Sequence, residues 1–122
     1  MALPGRHALI IEDEVLVAWQ IEDELRELGY ETFAIAESPR MALAQATAQR
    51  PDVIVSDYRI VGGTGVEAVT AVLAELGRVP VLFVTGNRAA VEAQVSFPVV
   101  EKPFSHLTFK TAWNQACEGV GF

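Results

Sequence analysis

The sequence predicts a doubly wound α/β fold, in which a five-stranded parallel sheet is covered by helices on both faces. Two observations support it. Short apolar runs alternate with stretches of helical periodicity along the chain, and their spacing implies right-handed crossovers between parallel strands. The length of 122 residues suits one domain with one core. We expect a single domain over residues 1–122, with a flexible N-terminus at 1–6 and a tail at 118–122.

The first half of the chain is predicted to contain three strands and two helices. Apolar runs indicate strands over 8–11, 32–36 and 53–57. A first helix over about 14–28 would bury a stripe at helical spacing that consists of Val17, Ile21, Leu25 and Leu28. Ser38 suits the N-cap of a second helix and Pro39 its first position, so that this helix would run to about Gln49.

The second half repeats this alternation. We predict a loop over 62–65, strands over 81–85 and 99–101, and a short fourth helix over about 88–94. Two further helices are marked by apolar residues at helical spacing, the third by Val66, Val69, Leu73 and Leu76, and the last by Phe109, Trp113 and Ala116.

Composition and charge exclude several classes of protein. The chain is 51% hydrophobic and 20% charged, and it has no apolar run of membrane-spanning length. A net charge of -7 argues against direct binding to nucleic acid. The first residues lack the apolar core of a secretory signal, and the single cysteine, Cys117, cannot form an internal disulfide. We therefore expect a cytoplasmic protein without membrane contact.

Four predicted strands end in residues that can perform phosphoryl chemistry. Glu12 and Asp13 follow the first strand, Asp57 ends the third, Thr85 ends the fourth, and Lys102 follows the fifth. Parallel strands present their carboxyl ends at one edge, and a flavodoxin-like order of 2-1-3-4-5 places the ligand crevice between the first and third strands. Under that order the acids and Asp57 converge.

The chemistry of such a cluster requires a cation. Three carboxylates repel phosphate until a divalent ion neutralises them, and Mg2+ accepts carboxylate, water and phosphate oxygens. Asp57 could then act as a carboxylate nucleophile toward a phosphoryl donor, while Mg2+ and the Lys102 ammonium neutralise charge on the transferring group. Thr85 would donate its hydroxyl hydrogen to that group.

Four short motifs carry a resemblance to a known family. They are Ile11-Glu12-Asp13-Glu14, Ser56-Asp57-Tyr58-Arg59, Val84-Thr85-Gly86 and Lys102-Pro103-Phe104, and in this order they resemble the motifs of response-regulator receiver domains. The resemblance covers essentially the whole chain. The run Pro80-Val81-Leu82-Phe83-Val84-Thr85-Gly86 also resembles a receiver subgroup with a Pro-Phe-x-Phe-Ala-Thr-Gly signature, in which the fourth helix is often degenerate.

The resemblance implies roles for particular residues. Asp57 would be the phosphoacceptor and Asp13 a direct Mg2+ ligand, with Glu12 acting through water and Arg59 through its backbone carbonyl. Lys102–Pro103 would be a cis peptide. The domain would take its phosphoryl group from a sensor histidine kinase, a phosphotransfer protein or a small phosphodonor, and would assist its own modification without being an enzyme toward another substrate.

The sequence says less about binding partners and the conformational switch than about the phosphoryl site. Val15 and Trp19 lie off the buried stripe of the first helix, and with Phe104 they are candidate partner-binding residues. The downstream partner is unknown, and both a homodimer and an excised piece of a larger regulator stay open. Val99 stands where many receivers carry an aromatic residue, which puts the usual Thr/Tyr switch in doubt. Asn87 and Arg59 flank the route of water in the family, so phosphoryl lifetime cannot be carried over.

Three other functions fit the sequence less well. An aspartyl-phosphate phosphatase of the haloacid-dehalogenase type needs a second Asp two residues after the nucleophile, where this chain has Arg59. A flavodoxin-like cofactor carrier would want a Ser/Thr/Gly phosphate loop after the first strand, where this chain has acids. A receiver-like scaffold that is never phosphorylated is disfavoured because the acceptor residues are all present. We interpret His7 and His106 as ordinary surface or loop residues, and Cys117 as a small core residue.

Overall fold

The structure, a computed structural model, describes residues 6–120, except for the side chain of residue 120. The strands are β1 (Arg6–Ile11), β2 (Tyr30–Ala36), β3 (Val53–Ser56), β4 (Arg59–Ile60), β5 (Gly63–Thr64), β6 (Val81–Thr85) and β7 (Val99–Glu101). The helices are α1 (Val15–Glu27), α2 (Pro39–Ala48), α3 (Gly65–Leu76), α4 (Arg88–Glu92) and α5 (His106–Val120).

Five of the strands form one parallel sheet of order β2-β1-β3-β6-β7. Strands β4 and β5 form a separate antiparallel hairpin, so the sheet order is the predicted 2-1-3-4-5 once this hairpin is set apart. The flavodoxin-like, doubly wound α/β fold is confirmed. The carboxyl ends of β1 and β3 are adjacent, since Ile11 pairs with Ser56 in the parallel register.

Alternate residues of β1 supply two cores on opposite faces of the sheet. Ala8 and Ile10 pack on the side covered by α1 and α5, whereas Leu9 and Ile11 pack on the side covered by α2 and α3. Helix α1 contributes Ala18, Ile21 and Leu25, whereas the predicted stripe residues Val17 and Leu28 are only partly buried. The stripe is therefore rotated slightly toward Ala18.

The helix starts follow the capping chemistry of the sequence. Ser38 caps α2 by accepting a hydrogen bond from the Met41 amide at 3.2 Å, and Pro39 occupies the first turn, as predicted. Thr64 and Glu67 form a capping box at α3. The segment 62–65 was predicted as a loop, but its residues Gly63 and Thr64 form β5 and Gly65 begins α3. Helix α4 has only five residues, which confirms a short fourth helix.

At both ends of the chain the regular structure extends further than predicted. Arg6, predicted to be flexible, begins β1, and residues 118–120, predicted as tail, belong to α5 because that helix runs to Val120. The remaining residues of these two predictions, 1–5 and 121–122, lie outside the described part of the chain. The Lys102–Pro103 peptide is cis, as the resemblance implied. Over residues 6–120, none of the helices is long and apolar enough to span a membrane.

Candidate functional site

Backbone hydrogen bonds between neighbouring strand ends bring the predicted site residues together. The Asp57 amide donates to the Ile11 carbonyl at 2.9 Å, which sets Asp57 beside the residues that follow β1. The Lys102 amide donates to the Thr85 carbonyl at 3.0 Å, which ties the ends of β6 and β7. The convergence of Glu12, Asp57, Thr85 and Lys102 thus follows from the strand order.

The side chain of Lys102 joins two of the acids. Its Nζ lies 2.8 Å from Asp57 Oδ2 and 3.0 Å from Glu12 Oε1, with Glu14 Oε1 at 4.0 Å. The other Asp57 oxygen, Oδ1, accepts a hydrogen bond from the Tyr58 amide at 2.6 Å. Because both oxygens of Asp57 have a donor, the orientation of this buried carboxylate is fixed.

Burial and neighbouring charges both change the pKa of Glu12. Its residue is only 2% exposed, and burial raises the pKa of the carboxyl to about 7, with the hydrogen bond from Lys102 opposing the rise and the Asp57 charge adding to it. Burial alone would lower the pKa of Lys102, but its hydrogen bonds to Asp57 and Glu12 outweigh that effect and raise it. Lys102 therefore stays an ammonium.

The acids of the site suit a hard divalent cation. Glu12, Asp13, Glu14 and Asp57 each offer a carboxylate oxygen, and these oxygens all lie within 4.8 Å of one another. Oxygen-only donors are those that Mg2+ prefers, and the exposure of Asp13 and Glu14 leaves room for the waters that this ion retains. The residues present fit Mg2+. The ligand roles of Asp13, of Glu12 through water and of the Arg59 carbonyl stay predictions.

One cleft at the carboxyl edge of the sheet contains Asp57 and Lys102 together with the hydroxyl group of Thr85. It is lined by Asp13, Glu14, Asp57, Arg59, Thr85, Gly86, Asn87 and Lys102. Thr85 Oγ1 accepts a hydrogen bond from the Asn87 amide at 3.0 Å, which leaves its hydroxyl hydrogen able to donate to an anion in the cleft.

The candidate partner-binding residues fall into two kinds. Val15 and Trp19 on α1 are 58% and 55% exposed, and Leu16 beside them is 72% exposed. Phe104 is partly buried and packs against Phe109, with the ring centroids 5.6 Å apart. The first two residues are thus accessible as the sequence indicated, whereas Phe104 has mainly a packing contact. Their role in binding stays a prediction.

Sequence reasoning missed Gly65. A Cβ at this position would lie 1.7 Å from the Asp57 carbonyl oxygen and 2.4 Å from Ser56 Oγ, and the Gly65 amide donates to the Tyr58 carbonyl at 2.6 Å. Helix α3 therefore begins in direct backbone contact with Asp57 and Tyr58. The only signal in the sequence was a glycine at the end of the predicted loop 62–65, directly before the predicted third helix.

The interpretation of the two histidines as surface or loop residues is wrong for His7 and agrees with the exposure of His106. His7 is buried, not a surface residue: it is 5% exposed in β1, its Nδ1 lies 2.9 Å from Thr32 Oγ1, and its Nε2 has no partner within residues 6–120. His7 lies in β1, an inner strand between β2 and β3, and its amide donates to Asp52 Oδ2 at 2.8 Å. His106 is exposed as expected, yet it pairs with Glu24 and Glu27 of α1.

Comparison with known proteins identifies the family. The model of the response regulator receiver domain matches residues 8–111, which is most of the chain. The chain belongs to this family. The receiver domain is 33% identical over 120 residues to the chemotaxis protein CheY of Pseudomonas aeruginosa, a match that covers 92% of this chain and 96% of that protein.

Other relatives are longer than this chain. The transcriptional regulatory protein PdtaR of Mycobacterium tuberculosis is 29% identical over 104 residues, covering 82% of the receiver domain and 51% of PdtaR. The phyllosphere-induced regulator PhyR of Methylorubrum extorquens is 35% identical over 79 residues, which is 63% of this chain and 29% of PhyR. The chain thus spans about half or less of the length of these two curated relatives.

Solved structures agree with the fold. The receiver domain of the Erythrobacter litoralis PhyR response regulator superposes with a TM-score of 0.84 at 29% identity, covering 97% of this chain and 94% of that one. The Brucella abortus PhyR structure gives a TM-score of 0.80 at 31% identity, covering 93% of this chain and 48% of that one.

Proposed function

We propose that this receiver domain accepts a phosphoryl group on Asp57 in a Mg2+-dependent reaction and thereby changes its affinity for a partner protein. One observation carries the proposal. Asp57 is 7% exposed and is held between the Lys102 ammonium and the Tyr58 amide, in the same cluster as three further carboxylates. A carboxylate fixed beside a cation and a divalent-ion site is an activated nucleophile for phosphoryl transfer.

The chain's own residues can be given steps in that reaction. An Asp57 carboxylate oxygen forms a bond to the phosphorus of the donor, and the bond from phosphorus to the donor's leaving group breaks, so that the leaving group keeps the electron pair. Lys102 turns one of its hydrogen bonds from Asp57 toward the transferring oxygens, and Thr85 donates its hydroxyl hydrogen to them. Mg2+, when bound, supplies positive charge that offsets the negative charge of the transferring group.

We further propose that this domain is a signalling phosphoacceptor of the cytoplasm that assists its own modification and does not turn over a separate substrate. The phosphodonor would be a sensor histidine kinase, a phosphotransfer protein or a small phosphoryl compound. Val15 and Trp19 would contribute to docking of the protein donor, because exposed apolar side chains on one helix face favour association. A homodimer and an unidentified downstream protein remain the candidate readers of the modified state.

The direct test is labelling with acetyl phosphate and Mg2+, followed by intact-mass measurement. The wild type should gain the mass of one phosphoryl group, and the gain should vanish when EDTA replaces Mg2+. Asp57→Asn keeps the size and the hydrogen-bonding shape of the side chain but removes the carboxylate nucleophile, and it should gain nothing.

Three results would contradict the proposal. Full labelling of Asp57→Asn would place the acceptor elsewhere. A wild type that stays unlabelled while it binds Mg2+ would instead favour the unphosphorylated scaffold. Continuous release of inorganic phosphate from many donor molecules per chain would favour the phosphatase alternative.

A further inference from the structure

A second cluster of metal-ligating side chains lies where α1 and α5 meet, apart from the phosphoryl site. It consists of Glu24 and Glu27 from α1 and His106 from the start of α5, and one ligand atom of each lies within 4.8 Å of the other two. His106 pairs with both acids, through Nδ1 with Glu24 and through Nε2 with Glu27, the latter contact being 3.4 Å long. The imidazole thus lies between two carboxylates of a different helix.

The backbone positions of these three residues are set by the two helices. Glu24 and Glu27 are three residues apart on α1, a spacing that puts both side chains on one face of the helix. Ser105 precedes α5, and its hydroxyl oxygen accepts a hydrogen bond from the Thr108 amide at 3.1 Å, which caps the helix directly before His106. The cluster is therefore assembled by the fold itself and does not need an ion to bring its members together.

The ligand atoms distinguish this cluster from the acids around Asp57. Imidazole nitrogen combined with carboxylate oxygen is a ligand set of Zn2+, whereas Mg2+ prefers oxygen alone. Two carboxylates and a neutral imidazole also balance the charge of one divalent ion. Zn2+ bonds to these atoms are about 2.0–2.2 Å long, so neighbouring ligand atoms of a tetrahedral site lie about 3.4 Å apart. His106 Nε2 and Glu27 Oε2 already have that separation.

We propose that Glu24, Glu27 and His106 bind one Zn2+ ion, which fastens the start of α5 to α1. Three protein ligands leave the fourth position of the ion to water. Arg26, the basic residue of α1, pairs with two other acids of that helix, so Zn2+ does not have to displace this guanidinium. The site is separate from Asp57, and the proposal goes beyond the proposed function without depending on it.

The experiment is calorimetric titration of the whole chain with zinc chloride. Excess Mg2+ is present so that it competes for the oxygen-only acids around Asp57. The wild type should bind one Zn2+ per chain. His106→Ala and Glu27→Gln should each raise the Kd by about 100-fold or more, because the loss of a residue outside the ligand set can already cost about 10–100-fold in metal affinity.

A matched control separates ligation from general attraction to an acidic surface. Asp23→Asn, like Glu27→Gln, removes one negative charge from an exposed side chain of α1, but Asp23 is not in the cluster, so its Kd should be nearly unchanged. Zn2+ should also shift the imidazole NMR resonances of His106 and leave those of His7, the other histidine, in place. It should raise the melting temperature of the wild type and not that of His106→Ala, because an ion that binds only the folded state stabilises it.

Four results would overturn the assignment. They are a wild type that does not bind Zn2+, wild-type affinity in either ligand variant, equal weakening in Asp23→Asn and Glu27→Gln, and complete displacement of Zn2+ by Mg2+. The last result would place the ion at the acids around Asp57. None of the four bears on phosphoryl labelling of Asp57, so the proposed function is tested separately.

Discussion

Replacing Gly65 with alanine should disturb Asp57, the proposed phosphoacceptor, although no predicted site residue is itself replaced. A Cβ at position 65 would lie 1.7 Å from the Asp57 carbonyl oxygen, and since real Cβ contacts essentially never fall under 3.0 Å, one of the two backbones must move by about 1.3 Å. Both partners are main-chain atoms of buried residues, so neither can swing aside as a flexible side chain could.

The magnitude follows from that displacement. Overpacking of a tight interior costs about 1–3 kcal/mol, and a clash between two backbones belongs at the upper end. A loss of about 3 kcal/mol would lower the melting temperature by roughly 10–15 °C for a domain of this size. Misplacing the nucleophile by about 1 Å can cost on the order of 100-fold in rate, so acetyl phosphate labelling of Asp57 should slow by about that factor.

The assay pairs urea unfolding with labelling kinetics, and Gly119→Ala is the matched control. Nothing lies within 4 Å of a Cβ at Gly119, which is exposed in α5, and an alanine in a helix should be neutral or stabilising by up to about 1 kcal/mol. The reasoning is refuted if Gly65→Ala unfolds at the wild-type urea concentration and labels at the wild-type rate.

The remaining predictions concern metal, docking and pH. Asp13→Ala should raise metal-free stability by about 1 kcal/mol through relieved repulsion and abolish stabilisation by Mg2+ in thermal melts; a preserved Mg2+ response would remove Asp13 from the ligand set. Trp19→Ala should slow transfer from a histidine kinase that labels the wild type, with acetyl phosphate labelling unchanged. Leu107→Ala, which truncates an exposed apolar side chain on α5, is the control; several kcal/mol of lost stability would show Trp19 to be core. Burial lowers the pKa of His7 in the folded protein. Neutral His7 therefore stabilises the fold above the unfolded pKa near 6.5, and this stability is lost as the pH falls through the folded pKa. His7→Phe should gain stability relative to the wild type between pH 7 and pH 5 in urea titrations, and parallel curves of stability against pH would contradict this.

Local patterns in the sequence were sufficient for most elements of the fold. The N-cap at Ser38, the helical spacing of Ile21 and Leu25, and the apolar strands each depend on residues close in the chain. The rules for right-handed crossovers predicted a parallel sheet, and its order was the one taken from flavodoxin-like folds. Because parallel strands share one carboxyl edge, the grouping of Glu12, Asp57 and Lys102 was also predictable.

What only the tertiary structure decided involves contacts between distant segments. The sequence does not distinguish buried Glu12 from exposed Asp13, because the difference arises from contacts with distant segments: the Glu12 amide donates to the Ala36 carbonyl, and its carboxylate accepts from Lys102. It does not show that Lys102 is already bonded to two acids while Arg59 has no partner within residues 6–120. These features depend on which atoms meet after packing, and a residue's own neighbours in the chain carry no information about that.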